Sequence, residues 1–366
     1  MMRLVRTAAL AMTLPVASLW GLFGGCCDGA LDYFQPAIDV YKNGDYYLGA
    51  DFLYWTHSDC DYSYVAEISD ILSVPQPAAA PPALNAFSTR NNIEFVKPGY
   101  DPGIRVRFGF NAFGCHAQEL SYTWVEIRNR NATRLNLDNF IRTQEPGFLV
   151  NNNFALAFAG PANKVTGEVF SRYQRVVWDI GTNFCKGDWG WFRAGGVPQW
   201  IGISHHRTTS AHVPSLGKTY TSTQKSEFSA GGVGYYVGYM VNLNKCGLYS
   251  MGRVVVNTLL SRQRLTRKGT GIVPGNAAQA VPVSDEFTVP GRTCFAPGFE
   301  MNVGLGYTKQ CKCFRVDILI NYEIQTWLDA LSYRVGGNQV TPSQQEDILF
   351  GGISYGGPSL RFVVGY

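Results

Sequence analysis

Charge is what this sequence is short of. Aspartate, glutamate, lysine and arginine make up 16% of its 366 residues, against about a quarter in an ordinary domain, so little of the chain is committed to bulk water. The 31 basic and 27 acidic residues leave a net charge of only +4 and form no basic stripe or run. That excludes nucleic acid as a partner. Long apolar runs are missing too: only MMRLVRTAALAMTLPVASLWGLFGG, at 1–25, resembles a membrane helix, which excludes a bundle of transmembrane helices. There is no internal repeat, and nothing is low in complexity beyond PQPAAAPPA at 75–83. Ligand-type clusters are absent as well. His205 and His206 have no cysteine or paired carboxylates at ligand spacing, and Cys311 and Cys313 flank Lys312 more tightly than a Cys-x-x-Cys pair. The glycines of GLGYTK and AGGVGYYVGYM precede no helix, so they are not phosphate loops and read as sites of close strand packing. No metal, cofactor or catalytic role is expected. Ser204 beside His205 is the only hint of a hydrolase, and two adjacent residues do not specify a triad.

What is present begins with an export signal. Arg3 and Arg6 precede an apolar core from Ala8 to Phe23 and then small residues, the layout of a secretory signal peptide. Residues 1–25 are read as that signal, with cleavage between Ser18 and Asp28. The alternatives are a retained anchor, or Cys26 as a lipid-modified first residue. Residues 26–45 follow as a periplasmic segment and 46–366 as the main domain.

Within that domain the dominant period is two. In GIRVRFGFN, Ile104, Val106, Phe108 and Phe110 share one face and Arg105, Arg107, Gly109 and Asn111 the other; FRVDILINYEIQ, from Phe314 to Gln325, repeats the pattern. Further candidates run at 46–56, 117–127, 172–184, 189–203, 228–242, 248–261, 299–308 and 349–366. Together they give about ten strands, within a range of roughly 8 to 14. Most have roughly the 9–11 residues a tilted strand needs to cross a bilayer. In the strand at 189–203, Pro198 and Gly195-Gly196 predict a bulge and leave its faces unassigned.

The links alternate in length. NAFGC, CKGD, NLNKCG and KQCKC are short, whereas 57–101, 129–171, 204–227, 262–298 and 330–348 are long, either of the first two being able to hold a further hairpin. Short periplasmic turns and long outer loops belong to outer-membrane barrels. A soluble barrel with an apolar interior shows the same period. The export signal, the alternating links and the aromatics at strand ends (Tyr46, Tyr47, Tyr54 and Trp55) favour lipid outside. Slipping the strand of Arg105 and Arg107 by one residue would turn both to lipid at about 2–4 kcal/mol each near the midplane, which fixes the register. The sequence stops in mid-alternation at PSLRFVVGY, with Leu360, Phe362, Val364 and Tyr366 on one face. No strand edge is left open in hydrocarbon, so this last strand is expected to pair with the first. The fold class is therefore an all-β, transmembrane antiparallel barrel.

GADFLYW at 49–55, KPGYDPGIRVRFGF at 97–110, WGWFRAGG at 189–196 and the aromatic-ended last strand resemble the pore-forming major outer membrane protein family first known from Legionella, with chlamydial major porins a more distant likeness. The resemblance runs from about Tyr46 to Tyr366. It implies a porin of the bacterial outer membrane for small hydrophilic solutes and ions, inserted by the barrel-assembly machinery through Leu360, Phe362, Val364 and Tyr366. Tyr366 departs from the Phe more usual there, and the nine cysteines depart further.

On the polar faces lie Asp51, Arg105, Arg107, Glu119, Arg175, Asp179, Arg253, Glu300, Arg315, Asp317, Glu323 and Arg361. These are candidate pore-lining residues of mixed sign, and weak ion selectivity follows. The alternative is that they pair with one another and plug the lumen, since small barrels are filled with side chains; the protein is then a structural, disulfide-linked or surface-interaction barrel. Cys115, Cys185, Cys246, Cys311 and Cys313 lie in or beside the short turns, Cys26 and Cys27 precede the first strand on that side, and Cys60 and Cys294 lie toward the long loops. Exported thiols become disulfides, turns around a rim are too far apart for a complete internal set, and an odd total leaves one cysteine over. Disulfide links to neighbouring barrels or periplasmic proteins are the expectation. The plainer reading is that cysteine is merely a small turn residue here.

Overall fold

The structure is a computed structural model that describes residues 46–59, 63–68, 92–96, 99–113, 116–134, 140–143, 164–187, 189–213, 218–244, 246–273, 281–310, 314–335 and 347–365. The strands are β1 (Tyr46–Asp59), β2 (Ser63–Ile68), β3 (Asn92–Phe95), β4 (Asp101–Phe113), β5 (His116–Arg134), β6 (Phe140–Thr143), β7 (Lys164–Gly187), β8 (Gly190–Val213), β9 (Lys218–Asn242), β10 (Leu248–Val273), β11 (Val281–Gln310), β12 (Arg315–Val335) and β13 (Asp347–Gly365). Ten of them close into an antiparallel barrel in the order β1-β13-β12-β11-β10-β9-β8-β7-β5-β4. Among the described residues no helix is long and apolar enough to cross a membrane. The signal-peptide and N-terminal segment expectations, at 1–25 and 26–45, lie outside the described residues.

Alternation places the side chains as the two-residue period dictates. Leu48, Phe52, Ile104, Val106, Phe108, Ile318, Ile320, Leu360 and Phe362 project outward and are exposed, whereas Arg105, Arg107, Arg315 and Glu323 are buried inside. The last barrel strand closes on the first, with Tyr47 opposite Gly365 and Phe52 opposite Leu360. Tyr366 itself lies outside the described residues. The turns after β4, β7, β9 and β11 gather at the end where β1 begins and β13 finishes, which is the periplasmic end of such a barrel.

Four expectations need correction. The strands run well past a bilayer crossing: β10 and β11 hold 26 and 30 residues. The link expected at 204–227 shrinks to 214–217, between β8 and β9. The reason is chemical, because above the lipid the outward positions become hydroxylic and the alternation loses its apolar signature. Thr208 pairs with Thr223 at 3.1 Å and Ser210 with Thr221 at 3.3 Å. Second, the first two long links do hold extra strands, but β2, β3 and β6 join in a separate three-stranded sheet instead of adding to the barrel. Third, Pro198 makes no bulge: the ladder omits Trp178 and Asp179, yet Val177 pairs with Gln199 and Ile180 with Gly196 in one unbroken register. A missing N–H removes a hydrogen bond without inserting a residue. Fourth, of the aromatics ending β1 only Tyr46 and Tyr54 are exposed. Trp55 is fully buried inside, and Tyr47 donates to Glu119 at 2.7 Å, because neighbours in a strand cannot share a face.

Candidate functional site: the barrel lumen

The barrel strands bring all the predicted lining residues to one interior, in an ionic layer that lies beneath an apolar one. The lower layer, toward the short turns, is ionic. At its centre Asp51 is completely buried and accepts from Arg105 at 3.0 Å, Arg107 at 2.7 Å and Arg361 at 3.2 Å. Arg105 reaches across the lumen to Glu323 at 2.8 Å, and Arg107 also pairs with Glu119. A second group forms on the opposite wall, where Asp179 accepts from Arg253 at 2.6 Å, Arg193 at 3.0 Å and Tyr236 at 2.7 Å. Arg175 is held by Glu300 at 2.7 Å and by Gln199 at 2.8 Å. Nearest the rim, Tyr249 donates to Asp317 at 2.8 Å and Arg315 to Thr308 at 2.7 Å. A cavity of about 160 Å³ remains among these groups.

Sequence reasoning missed Arg193 and the neutral partners Tyr47, Tyr236, Gln199, Tyr249 and Asn257, the last of which donates to Glu300 at 2.7 Å. Arg193 sits on β8, whose faces stayed unassigned because of Pro198 and the Gly195-Gly196 pair; counting by two from Gln199 would have turned it inward. Small residues make room for the aromatic partners. A Cβ at Gly181 would stand 1.9 Å from the Tyr236 hydroxyl, and one at Gly306 would stand 2.2 Å from the Tyr249 ring.

The upper layer is apolar. Leu53, Trp55, Val125, Ile127, Tyr173, Ile201, Ile203, Phe228, Leu259, Trp327, Ala330, Leu331, Ile353 and Tyr355 form one cluster, none more than 2% exposed. These residues lie on the long-loop side of the ionic layer: Leu53 and Trp55 follow Asp51, and Tyr173 precedes Arg175, while Arg207, also buried on β8, lies beyond the belt. Part of the belt comes from a bulge in β12. Its register breaks between Trp327 and Leu331, with Asp329 in the left-handed region at φ 52°, and Trp327, Ala330 and Leu331 are all buried. Bulges re-aim side chains in this way. The two layers touch through cations on aromatic faces, Arg105 5.5 Å from the Trp55 ring centre and Arg175 5.5 Å from that of Trp327. Above the belt the rings of His57 and His205 meet edge to face, with centres 5.6 Å apart. His205 and His206 were expected on a loop; they lie on β8 and point to opposite faces.

The cysteines are only partly described. Cys246, in the turn before β10, is disulfide-bonded, to a partner outside the residues whose side chains are described. Cys294 is a free thiol 3.1 Å from the Ser261 hydroxyl. Cys185 falls on β7, while Cys26, Cys27, Cys60, Cys115, Cys311 and Cys313 lie outside the described residues.

A closed barrel with an apolar outer face and an ionic, side-chain-filled lumen defines an outer-membrane β-barrel protein. The model of the Legionella pneumophila major outer membrane protein precursor family matches residues 41–359, and the chain belongs to that family. No curated protein matches it. Among solved structures, the Escherichia coli outer membrane protease OmpT is 7% identical, with 92% of this chain and 99% of that one covered and a TM-score of 0.40. A Pseudomonas aeruginosa FadL homologue is 8% identical over 89% and 90%, with a TM-score of 0.25. The Pseudomonas putida toluene transporter TodX is 7% identical over 93% of both chains, again at 0.25. At these scores the likenesses carry no argument about activity or substrate.

Proposed function

We propose that this outer-membrane barrel is a gated porin for small hydrophilic solutes and ions, in which the ionic layer is the conduit and the apolar belt is its closed gate. The observation that supports this reading is the ionic lining. Replacing buried ion pairs by apolar residues of similar volume is often neutral or stabilising, so charges are not needed to seal a barrel. A hydrophilic path does need them. Apolar constrictions gate pores by dewetting, and the belt has that character. The near balance of arginines and carboxylates gives weak ion selectivity, and the proposal includes no catalytic step. Swelling of liposomes containing the refolded protein tests it: slow entry of small sugars and exclusion of larger ones is expected, and no swelling at any solute size contradicts it.

The close packing of the belt, with no member more than 2% exposed, favours a second reading, a sealed structural barrel cross-linked through its periplasmic rim. Cys246 and its partner are already bonded, and the turn cysteines outside that pair would link neighbouring barrels or periplasmic proteins. Non-reducing electrophoresis of native envelopes should then show a ladder that reductant collapses and that is lost when Cys115, Cys185, Cys311 and Cys313 become serine. A monomer band alone removes this reading.

In either case we propose that the barrel-assembly machinery reads the last strand. Gly365 is paired with both Tyr47 and Arg315, so deleting 365 and 366 should cut the yield of inserted, heat-modifiable barrel far more than deleting two residues near Pro81. Equal yields from the two deletions contradict this, and Tyr366→Phe should be harmless.

A further inference from the structure

The outer wall carries a polar row just above its lipid-facing band. Across β5, β7, β8, β9 and β10 the register aligns Tyr122, Val176, Trp200, Gly231 and Leu260. Of these Trp200 is 41% and Leu260 65% exposed, as lipid-facing residues are. Two residues higher the row is Trp124, Gln174, Gly202, Ser229 and Arg262, and two higher again it is Glu126, Arg172, Ser204, Glu227 and Arg264. Apolar chemistry gives way to guanidinium within two rows, on the side away from the short turns. That level is the headgroup region of the outer leaflet.

The charges there are unequally matched. Arg172 is paired with Glu126 at 2.6 Å and Lys225 with Glu227 at 2.5 Å. Arg262 and Arg264, both exposed, have no carboxylate partner among the described residues. The wall is also broken at this point: β10 slips against β11 between Gln263 and Leu265, which leaves Arg264 without a ladder partner on that side. A cleft of about 850 Å³ opens here, its charged lining being Arg172, Lys225, Arg262 and Arg264 with one carboxylate, Glu227, which Lys225 neutralises, and its size falls within the roughly 300–1,000 Å³ of ligand sites. Directly beneath Arg262 stand Leu260 and Phe295, 65% and 60% exposed.

We propose that this cleft binds the phosphorylated headgroup of an outer-leaflet glycolipid of the lipid A type, with its phosphates on Arg262 and Arg264 and its acyl chains against Leu260 and Phe295. Two unpaired guanidiniums suit a phosphate, which they engage in a planar, two-pronged fashion. The apolar strip continuous with them distinguishes a lipid-borne phosphate from a free one. The site depends on the barrel's place in the outer membrane and not on whether its lumen conducts.

The test uses the full-length protein refolded in detergent, titrated with diphosphorylated lipid A, with the same lipid stripped of phosphate, and with inorganic pyrophosphate. Wild type should bind diphosphorylated lipid A with an affinity that falls with salt, bind the stripped lipid weakly, and show no saturable binding of pyrophosphate. Arg262→Ala with Arg264→Ala should weaken lipid A binding by about 30-fold, the loss of two basic side chains at an anionic surface, while the heat-modifiable band stays unchanged. The double lysine variant should recover part of the affinity. Equal affinity of the double alanine variant, equal binding of stripped lipid, or pyrophosphate binding as tight as lipid A would each overturn the proposal.

Discussion

Asp51→Asn should destabilise the barrel by about 3–5 kcal/mol, the cost of breaking a buried ion pair by removing one partner. Asp51 is fully buried and shared among Arg105, Arg107 and Arg361. Asparagine keeps its size and removes the charge, so three guanidiniums lose their common counter-ion, and Glu119 and Glu323 cannot replace it on every side. The check is urea unfolding of the refolded barrel, read by tryptophan fluorescence and by the temperature at which the compact gel band is lost. Glu126→Gln serves as a reference: its partner Arg172 is half-exposed, and surface pairs contribute about 0–1 kcal/mol. A similar small effect at both sites would mean that lumen water already solvates the charges, and the ionic layer would then be open.

Opening the belt should have the larger functional effect. Trp55 and Trp327 are the largest fully buried side chains, and each supports an arginine of the layer below. Trp55→Ala together with Trp327→Ala removes both, and solute flux through liposomes should rise roughly tenfold or more, since each 1.4 kcal/mol taken from the closed state is a factor of about ten. Large-to-small changes of this kind also cost about 3–5 kcal/mol of stability each. Leu331→Ser is therefore the companion variant: it wets the belt with a small change in volume and should raise flux in the same direction. Folded variants that leave flux at the wild-type level would mean that the belt is not what closes the lumen.

The ionic layer was legible in the sequence because a misplaced charge in lipid is expensive. In GIRVRFGFN and FRVDILINYEIQ the charged positions are forced to one side, and their faces were read without ambiguity. The apolar belt was not legible, for the same reason turned round. Where both faces are greasy, as from Phe52 to Trp55, the period survives but no charge says which side is wet. The partners, too, are distant: Arg105 and Glu323 are 218 residues apart, and Tyr173 and Tyr355 meet across the lumen with tilted rings, 4.7 Å between centres. Closure of the barrel brings them together, and one sequence does not encode the stagger that decides which meets which. The upper end of the outer polar face, Ser204, Glu227, Arg262 and Arg264, stayed hidden because these hydroxyl and charged residues read as loop once the lipid-facing pattern stopped.

Single-channel recording of the refolded wild-type protein in a planar bilayer tests the central claim most directly. A lumen closed by an apolar belt over an ionic conduit predicts brief, discrete openings separated by long closed intervals, weak selectivity between cations and anions, and longer open times in Leu331→Ser. An inserted barrel that is silent in both proteins, or one that is continuously open in wild type, contradicts it.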